Sequence, residues 1–196
     1  MNPIVGVLAL QGDFQEHIAS LRRLGADTRE VRTEAQLAAV DSLVVPGGES
    51  TSMAKLMDIY GLREPLVAFA RSGKPVWGTC AGLILLASRL QEQRPEPLGI
   101  MDTVVQRNGF GRQVDSFETD LDIAGVAGGP YHAIFIRAPK IVEIGPSVEA
   151  LATLEDGTIV AARERNVLVT AFHPELTTDD RVHGFFLAMA AEVAAR

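Results

Sequence analysis

The 196-residue sequence carries one cysteine, one tryptophan and two tyrosines. A single cysteine excludes an internal disulfide and suits a reducing cytoplasm. Basic residues are also short: 18 Lys and Arg against 25 Asp and Glu leave a net charge of −7. That balance argues against a general nucleic-acid or anionic-membrane surface. No apolar run reaches the length of a membrane span, and the four histidines form no cluster with metal-ligand spacing. The apolar start, Ile4 to Leu10, lacks a basic flank and runs straight into a polar turn. It reads as a first strand, not as a signal peptide. With 47% hydrophobic and 22% charged residues, the composition is that of an ordinary globule. The length suits one α/β domain spanning 1–196.

Apolar runs alternate with helical patterns through the first half. Strands are expected at 4–10, 28–32, 42–46 and 76–78, and helices at 13–24, 34–40, 51–60, 62–71 and 81–90. Asp13 to Glu16 has the form of a capping box that would open the first helix. This order predicts a doubly wound, mostly parallel sheet with flanking helices, flavodoxin-like, whose ligands collect beyond the strand C-termini. After Pro97 the pattern changes to short strands at 101–105, 116–121, 132–136, 148–154 and 158–163. These are expected to form a small antiparallel sheet at the edge. One more apolar strand, 166–172, precedes a final helix whose buried face is Val182, Phe185, Phe186, Met189 and Val193.

The stretch Trp77-Gly-Thr-Cys80-Ala-Gly82 has the glycine spacing of a nucleophile elbow with cysteine at its centre. Such a turn forces the central residue into a strained conformation and presents it at a helix N-terminus, where a thiolate is favoured. A lone cysteine is also what a small buried hydrophobe looks like, and the spacing by itself leaves both readings standing. A cysteine nucleophile needs a base. His17, beside Gln15 and Glu16, reads as solvated; His183 reads as structural; His132 opens a strand. His173 stands at the C-terminal end of an apolar strand with Glu175 two residues on, and Pro174 keeps His173 out of the helical region. An extended backbone would point both side chains the same way. An exposed His-Pro-Glu turn is the alternative.

Gly78-Thr-Cys80-Ala-Gly82 with His173-Pro-Glu175 resembles the class I, triad-type glutamine amidotransferases. The segments Leu10-Gln-Gly12, Pro46-Gly-Gly-Glu-Ser-Thr51, Arg107 to Gln113, Phe135-Ile-Arg-Ala-Pro139 and Phe172 to Thr177 narrow the resemblance to the glutaminase subunits of pyridoxal 5′-phosphate synthase. One position departs from the pattern: Gly109 stands where serine is expected. The resemblance implies Cys80 as nucleophile, His173 as the proton-transfer group and Glu175 as its orienting partner. It implies an oxyanion hole from the N–H groups of Ala81 and Gly48; glycine can turn its peptide at little steric cost, so the hole is expected to assemble only on partner docking. It implies that Gly48, Glu49, Ser50, Arg107, Ile136 and Arg137 hold L-glutamine, and that Gln11 meets the partner, a (β/α)8-barrel lyase subunit. No cofactor and no metal are implied. Surface ion pairing is the other reading of Arg107 and Arg137. A glutaminase serving another synthase, a flavodoxin-like cysteine hydrolase or chaperone, and a silent interaction subunit are the competing functions.

Overall fold

Strand β1 (Ile4–Leu8) is apolar because both its faces are covered: Val5, Val7 and Leu8 are buried. The same holds for β3 (Ser42–Val45), β4 (Val76–Thr79) and β12 (Val167–Thr170), every residue of which is buried. These runs pair in parallel, with Val7 opposite Val44, Val44 opposite Trp77, and Trp77 opposite Leu168. The computed structural model describes residues 3–110 and 116–194, so Gly111, Arg112 and Gln113 of the 107–113 segment lie outside the described residues. Strand β2 (Asp27–Val31) flanks β1 in parallel and forms one edge.

The helices follow the strands: α1 (Phe14–Arg23), α2 (Glu34–Ala38), α3 (Ser50–Ile59), α4 (Arg63–Arg71), α5 (Ala81–Leu86) and α6 (Arg181–Ala194). The first-turn chemistry at α1 differs from expectation. Asp13 occupies the N-cap position but its side chain makes no capping hydrogen bond; its carboxylate is turned toward His173 instead. The capping box in this chain belongs to α2, where Thr33 and Gln36 cap each other. In α6, Val182, Phe186 and Met189 are buried as expected, whereas Phe185 and Val193 are half-buried.

The second half corrects the sequence reading in three places. The helix expected over 81–90 stops at Leu86, and Ala87–Leu90 is strand β5. A strand at Lys140–Ile144, β9, was not anticipated; its exposed Val142, Glu143 and Ile144 give it little alternation. The small antiparallel sheet expected at the edge is present as a two-stranded pair, but the other antiparallel strands are not part of it. β6 (Met101–Gln106), β9, β10 (Glu149–Thr153) and β11 (Ile159–Glu164) continue the central sheet beyond β12, giving ten strands in the order β2-β1-β3-β4-β12-β11-β9-β6-β5, with β10 on β11. Among the described residues, only β7 (Ser116–Leu121) and β8 (Tyr131–Ile136) form a separate antiparallel pair. That pair reaches the crevice end of the sheet, because His173 N–H donates to the Ile134 carbonyl at 2.8 Å. Among the described residues, no helix is long and apolar enough to cross a membrane.

Candidate active site at the strand ends

The turn after β4 has the strain its glycines predicted. Cys80 sits at φ 47°, ψ −100°, a region that non-glycine residues rarely occupy and that clusters at functional sites. Two close approaches make the turn possible. A Cβ on Gly78 would lie 2.6 Å from the Gly82 carbonyl carbon, and one on Gly82 would lie 2.1 Å from the Val45 carbonyl oxygen. Strand β4 thus crosses α5, and α5 crosses β3, at a distance only glycine allows. Cys80 N–H is anchored to the Thr170 carbonyl at 2.8 Å. The variant Gly82→Ala is expected to lose about 1–3 kcal/mol of stability from overpacking against backbone that cannot swing away; urea denaturation measures it.

His173 follows β12 at the same edge of the sheet. Its Nδ1 and Glu175 Oε1 are 2.6 Å apart, and both residues are buried. The route to that contact is not the extended backbone expected. Pro174–Leu176 is a turn of 3₁₀ helix, and this turn brings Glu175 back under the imidazole. Burial alone would pull the His173 imidazole down, but hydrogen bonds and charge from Cys80 and Glu175 outweigh it and lift it to about 10. Burial pushes the Glu175 carboxyl up, and the hydrogen bond and charge of His173 oppose that. The favoured state near neutral pH is therefore an imidazolium held between Cys80 and Glu175, with its proton available to a leaving group.

An open cleft of about 560 Å³ lies over these groups. It is lined by Cys80 and His173 and by Gln11, Gly48, Glu49, Ser50, Arg107, Ile136 and Arg137, so the sequence-predicted contact residues converge on one place. Glu175 and Ala81 are buried just behind it. Ala81 is the first residue of α5, so its N–H belongs to the helix start, where donors lack intrahelical partners. Glu49 caps α3 through Ser52 N–H at 2.7 Å. The Arg107 fork is engaged: it reaches Thr51 Oγ1 at 3.2 Å, Glu49 Oε1 at 3.4 Å and the Arg94 carbonyl at 2.9 Å. The Arg107 ion pair is itself a wall of the cleft. Arg137 is exposed at the rim with φ 44°. The loop 47–49 is clamped from below, with the Gly47 carbonyl accepting from Asp13 N–H at 3.1 Å and Gln11 Oε1 accepting from Glu49 N–H at 2.8 Å.

Several lining residues escaped the sequence reading. Asp13, taken for a cap, places Oδ2 3.6 Å from His173 Nδ1. Asn108, Ile84 and Leu176 complete the wall; Asn108 lay inside a segment already singled out. His17, expected to be solvated, is fully buried behind Glu175. Its flanking polar residues gave the wrong signal, because α1 buries only the stripe His17, Ile18, Ser20 and Leu21. Gly109 has a local reason to be small: a Cβ there would lie 2.1 Å from Lys140 Cγ, and Lys140 Nζ sits 4.3 Å from the Phe110 ring centre. Among the described residues, Asp13, His173 and Glu175 are the group whose ligand atoms come within 4.8 Å of one another. His173 Nδ1 is already committed to Glu175, which favours a proton-transfer arrangement over a metal set.

The SNO glutamine amidotransferase family matches residues 7–192. A pyridoxal 5′-phosphate synthase subunit PdxT from Acidothermus cellulolyticus is 54% identical, with 98% of this chain and 96% of that protein covered. The protein of the same description from a Roseiflexus species is 52% identical over 94% of this chain and 99% of its own length. A crystal structure described as a glutamine amidotransferase superposes with a TM-score of 0.90 at 46% identity, covering 95% of this chain and 98% of that one.

Proposed function

This chain belongs to the SNO glutamine amidotransferase family, and on that premise we propose that it is the glutaminase subunit of a pyridoxal 5′-phosphate synthase. It hydrolyses L-glutamine to glutamate and ammonia and passes the ammonia to a lyase subunit. The observation that carries the reading is the strained Cys80 at the end of β4 beside a His173–Glu175 pair held at 2.6 Å. This is the nucleophile, proton carrier and orienting carboxylate of a triad.

The steps follow from these groups. Cys80 Sγ attacks the side-chain amide carbon of glutamine, and the carbonyl oxygen takes the negative charge. The N–H groups of Ala81 and Gly48 supply the donors for that oxyanion. The His173 imidazolium gives its proton to the amide nitrogen, the carbon–nitrogen bond breaks, and ammonia leaves. His173, now neutral, takes a proton from water, which attacks the thioester and releases glutamate. Glu175 holds the imidazole in the tautomer that keeps Nε2 toward Cys80. The cleft walls Glu49, Ser50, Arg107, Ile136 and Arg137 hold the amino-acid end of the substrate, an arginine fork suiting its carboxylate.

Ammonia in water is protonated and loses its nucleophilicity, so the lyase subunit, of (β/α)8-barrel form, must dock over the cleft. Gln11 lies at this mouth and belongs to the docking surface. The single thiol suits a reducing cytoplasm. Exposing the reconstituted complex to an electrophilic glutamine analogue should give one adduct, located on Cys80 by peptide mass. Ammonia release from glutamine should rise when the lyase subunit is added. An adduct on another residue, or no ammonia release from the complex, would overturn the reading.

A further inference from the structure

Behind the triad lies a second pair of histidines that the steps above do not use. His17 comes from α1 and His183 from α6, and both are fully buried. His17 Nδ1 is 3.0 Å from His183 Nε2. On its other side, His17 Nε2 lies 3.1 Å from Thr79 Oγ1 and 3.3 Å from Glu175 Oε2. Glu175 Oε1 is committed to His173, while Oε2 is buried without a well-aligned hydrogen bond. The polar atom beside it is His17 Nε2, whose aligned hydrogen bond is with Thr79 Oγ1.

The proton positions follow from satisfaction. His183 Nδ1 is buried with no partner. An orphaned buried N–H is rarer and more costly than an orphaned acceptor, so His183 carries its proton on Nε2. That N–H donates to His17 Nδ1, which must then be an acceptor, and a neutral His17 carries its own proton on Nε2. The reverse tautomer would aim a lone pair at the Glu175 carboxylate across 3.3 Å, which is repulsive. Burial, with His183 and His173 nearby, holds the His17 pKa well below its ordinary value, and burial pushes His183 down to about 4. Both rings are therefore neutral at neutral pH. The other charged groups acting on the pair are Asp180 and Arg23, near His183.

We infer that His17 is a positioning residue for the glutaminase reaction: its Nε2–H, set by the hydrogen bond from His183, donates to Thr79 Oγ1 and stands 3.3 Å from the free oxygen of Glu175, and this contact keeps that carboxylate against His173. This rests on the triad reading of Cys80, His173 and Glu175. A buried carboxylate with one free oxygen can rotate or take up a proton, and either change would loosen the imidazolium it is meant to hold. A neutral N–H dipole beside the second oxygen, anchored on Thr79, favours the charged and in-plane carboxylate without adding a competing cation. It also ties the site to α1 and α6.

The test is glutaminase kinetics of the complex with the lyase subunit. His17→Phe keeps a ring of similar size and removes the donor; kcat should fall about ten- to a hundredfold. KM for glutamine should stay within about twofold, because His17 touches no substrate. His17→Gln, which can present an N–H near the Nε2 position, should recover a large part of the loss. In a Glu175→Gln background the His17→Phe change should add less than about twofold, since the two act as a unit. Equal losses in both backgrounds, or a folded His17→Phe at the wild-type rate, would overturn the inference. Should His17→Phe not fold, two-bond ¹⁵N–¹H spectra of histidine-labelled wild-type protein decide: the Nε2–H tautomer supports the inference and Nδ1–H refutes it. A failure of the underlying triad would look different, with Cys80→Ala or Glu175→Gln retaining turnover.

Discussion

Cys80→Ala is expected to abolish glutamine-dependent synthesis of pyridoxal 5′-phosphate, with a loss on the order of 10³-fold or more in glutaminase turnover. Synthesis from added ammonium salt should survive, because ammonium replaces the ammonia that glutamine would supply. The size of the effect follows from geometry. Cys80 is held at positive φ with its N–H fixed to Thr170 and its side chain beside His173, and no other thiol exists in the chain. His173→Asn should show the same split. Removing the imidazole takes away the proton that ammonia needs to leave. Both variants change a few atoms at the cleft, and the sheet beneath does not depend on them. The check is a paired assay of the reconstituted complex with glutamine or with ammonium as nitrogen source. Loss of both activities would mean that these residues hold the fold or the interface, and the assignment would lose its support.

Gly48→Val should lower partner-stimulated kcat by about a hundredfold or more, the scale of one lost oxyanion donor, with a smaller change in KM. The loop 47–49 tolerates only glycine at this place. Gly48 sits at φ +149°, and a Cβ there would lie 2.6 Å from Gln11 Oε1 and 2.9 Å from Gly12 Cα. A β-branched side chain must push the loop off Gln11 and Gly12, and the N–H meant for the oxyanion moves with it. The core under the loop, from Leu43 to Val45, stays buried and paired on both sides, so thermal unfolding should change much less than turnover. Steady-state kinetics with and without the lyase subunit also test the loop as a switch. The Gly47 carbonyl is tied to Asp13 N–H at 3.1 Å; turning that peptide breaks this hydrogen bond, and the proposed docking at Gln11 would drive it. The free subunit should therefore be the poorer glutaminase, with the partner raising kcat more than it lowers KM. A free subunit already at full rate would remove the switch and leave the triad untouched.

The elbow was legible because its chemistry is local. Glycines two positions either side of Cys80 announce a crossing too tight for a side chain, and the distances at Gly78 and Gly82 bear that out. The His173–Glu175 pair was legible as a pairing but not as a path: proline suggested an extended backbone, and a 3₁₀ turn made the contact instead. Asp13 was misread because an acidic residue before a helix with glutamate three on looks like a cap, whereas His173, 160 positions away in sequence, turns its carboxylate. The central strands were legible from continuous apolar runs. The junction of α5 and β5 was not, since Leu83 to Ala87 are buried in either conformation and hydrophobicity alone does not separate helix from strand.

What the sequence by itself determined is the parallel half of the sheet, the two glycine turns at its strand ends, and the residue types that meet there. Each of these is written in short-range signals: period, glycine spacing, the proline after His173. What only the tertiary structure decided is which distant groups share a boundary. Of the antiparallel strands, β7 and β8 form the small separate sheet while β6, β9, β10 and β11 add to the central one, because strand pairing is a contact between segments far apart in sequence. His17 is buried against Glu175 and His183, not solvated, because the stripe of α1 that faces the core is set by where the helix lands, and its polar neighbours in sequence point the other way.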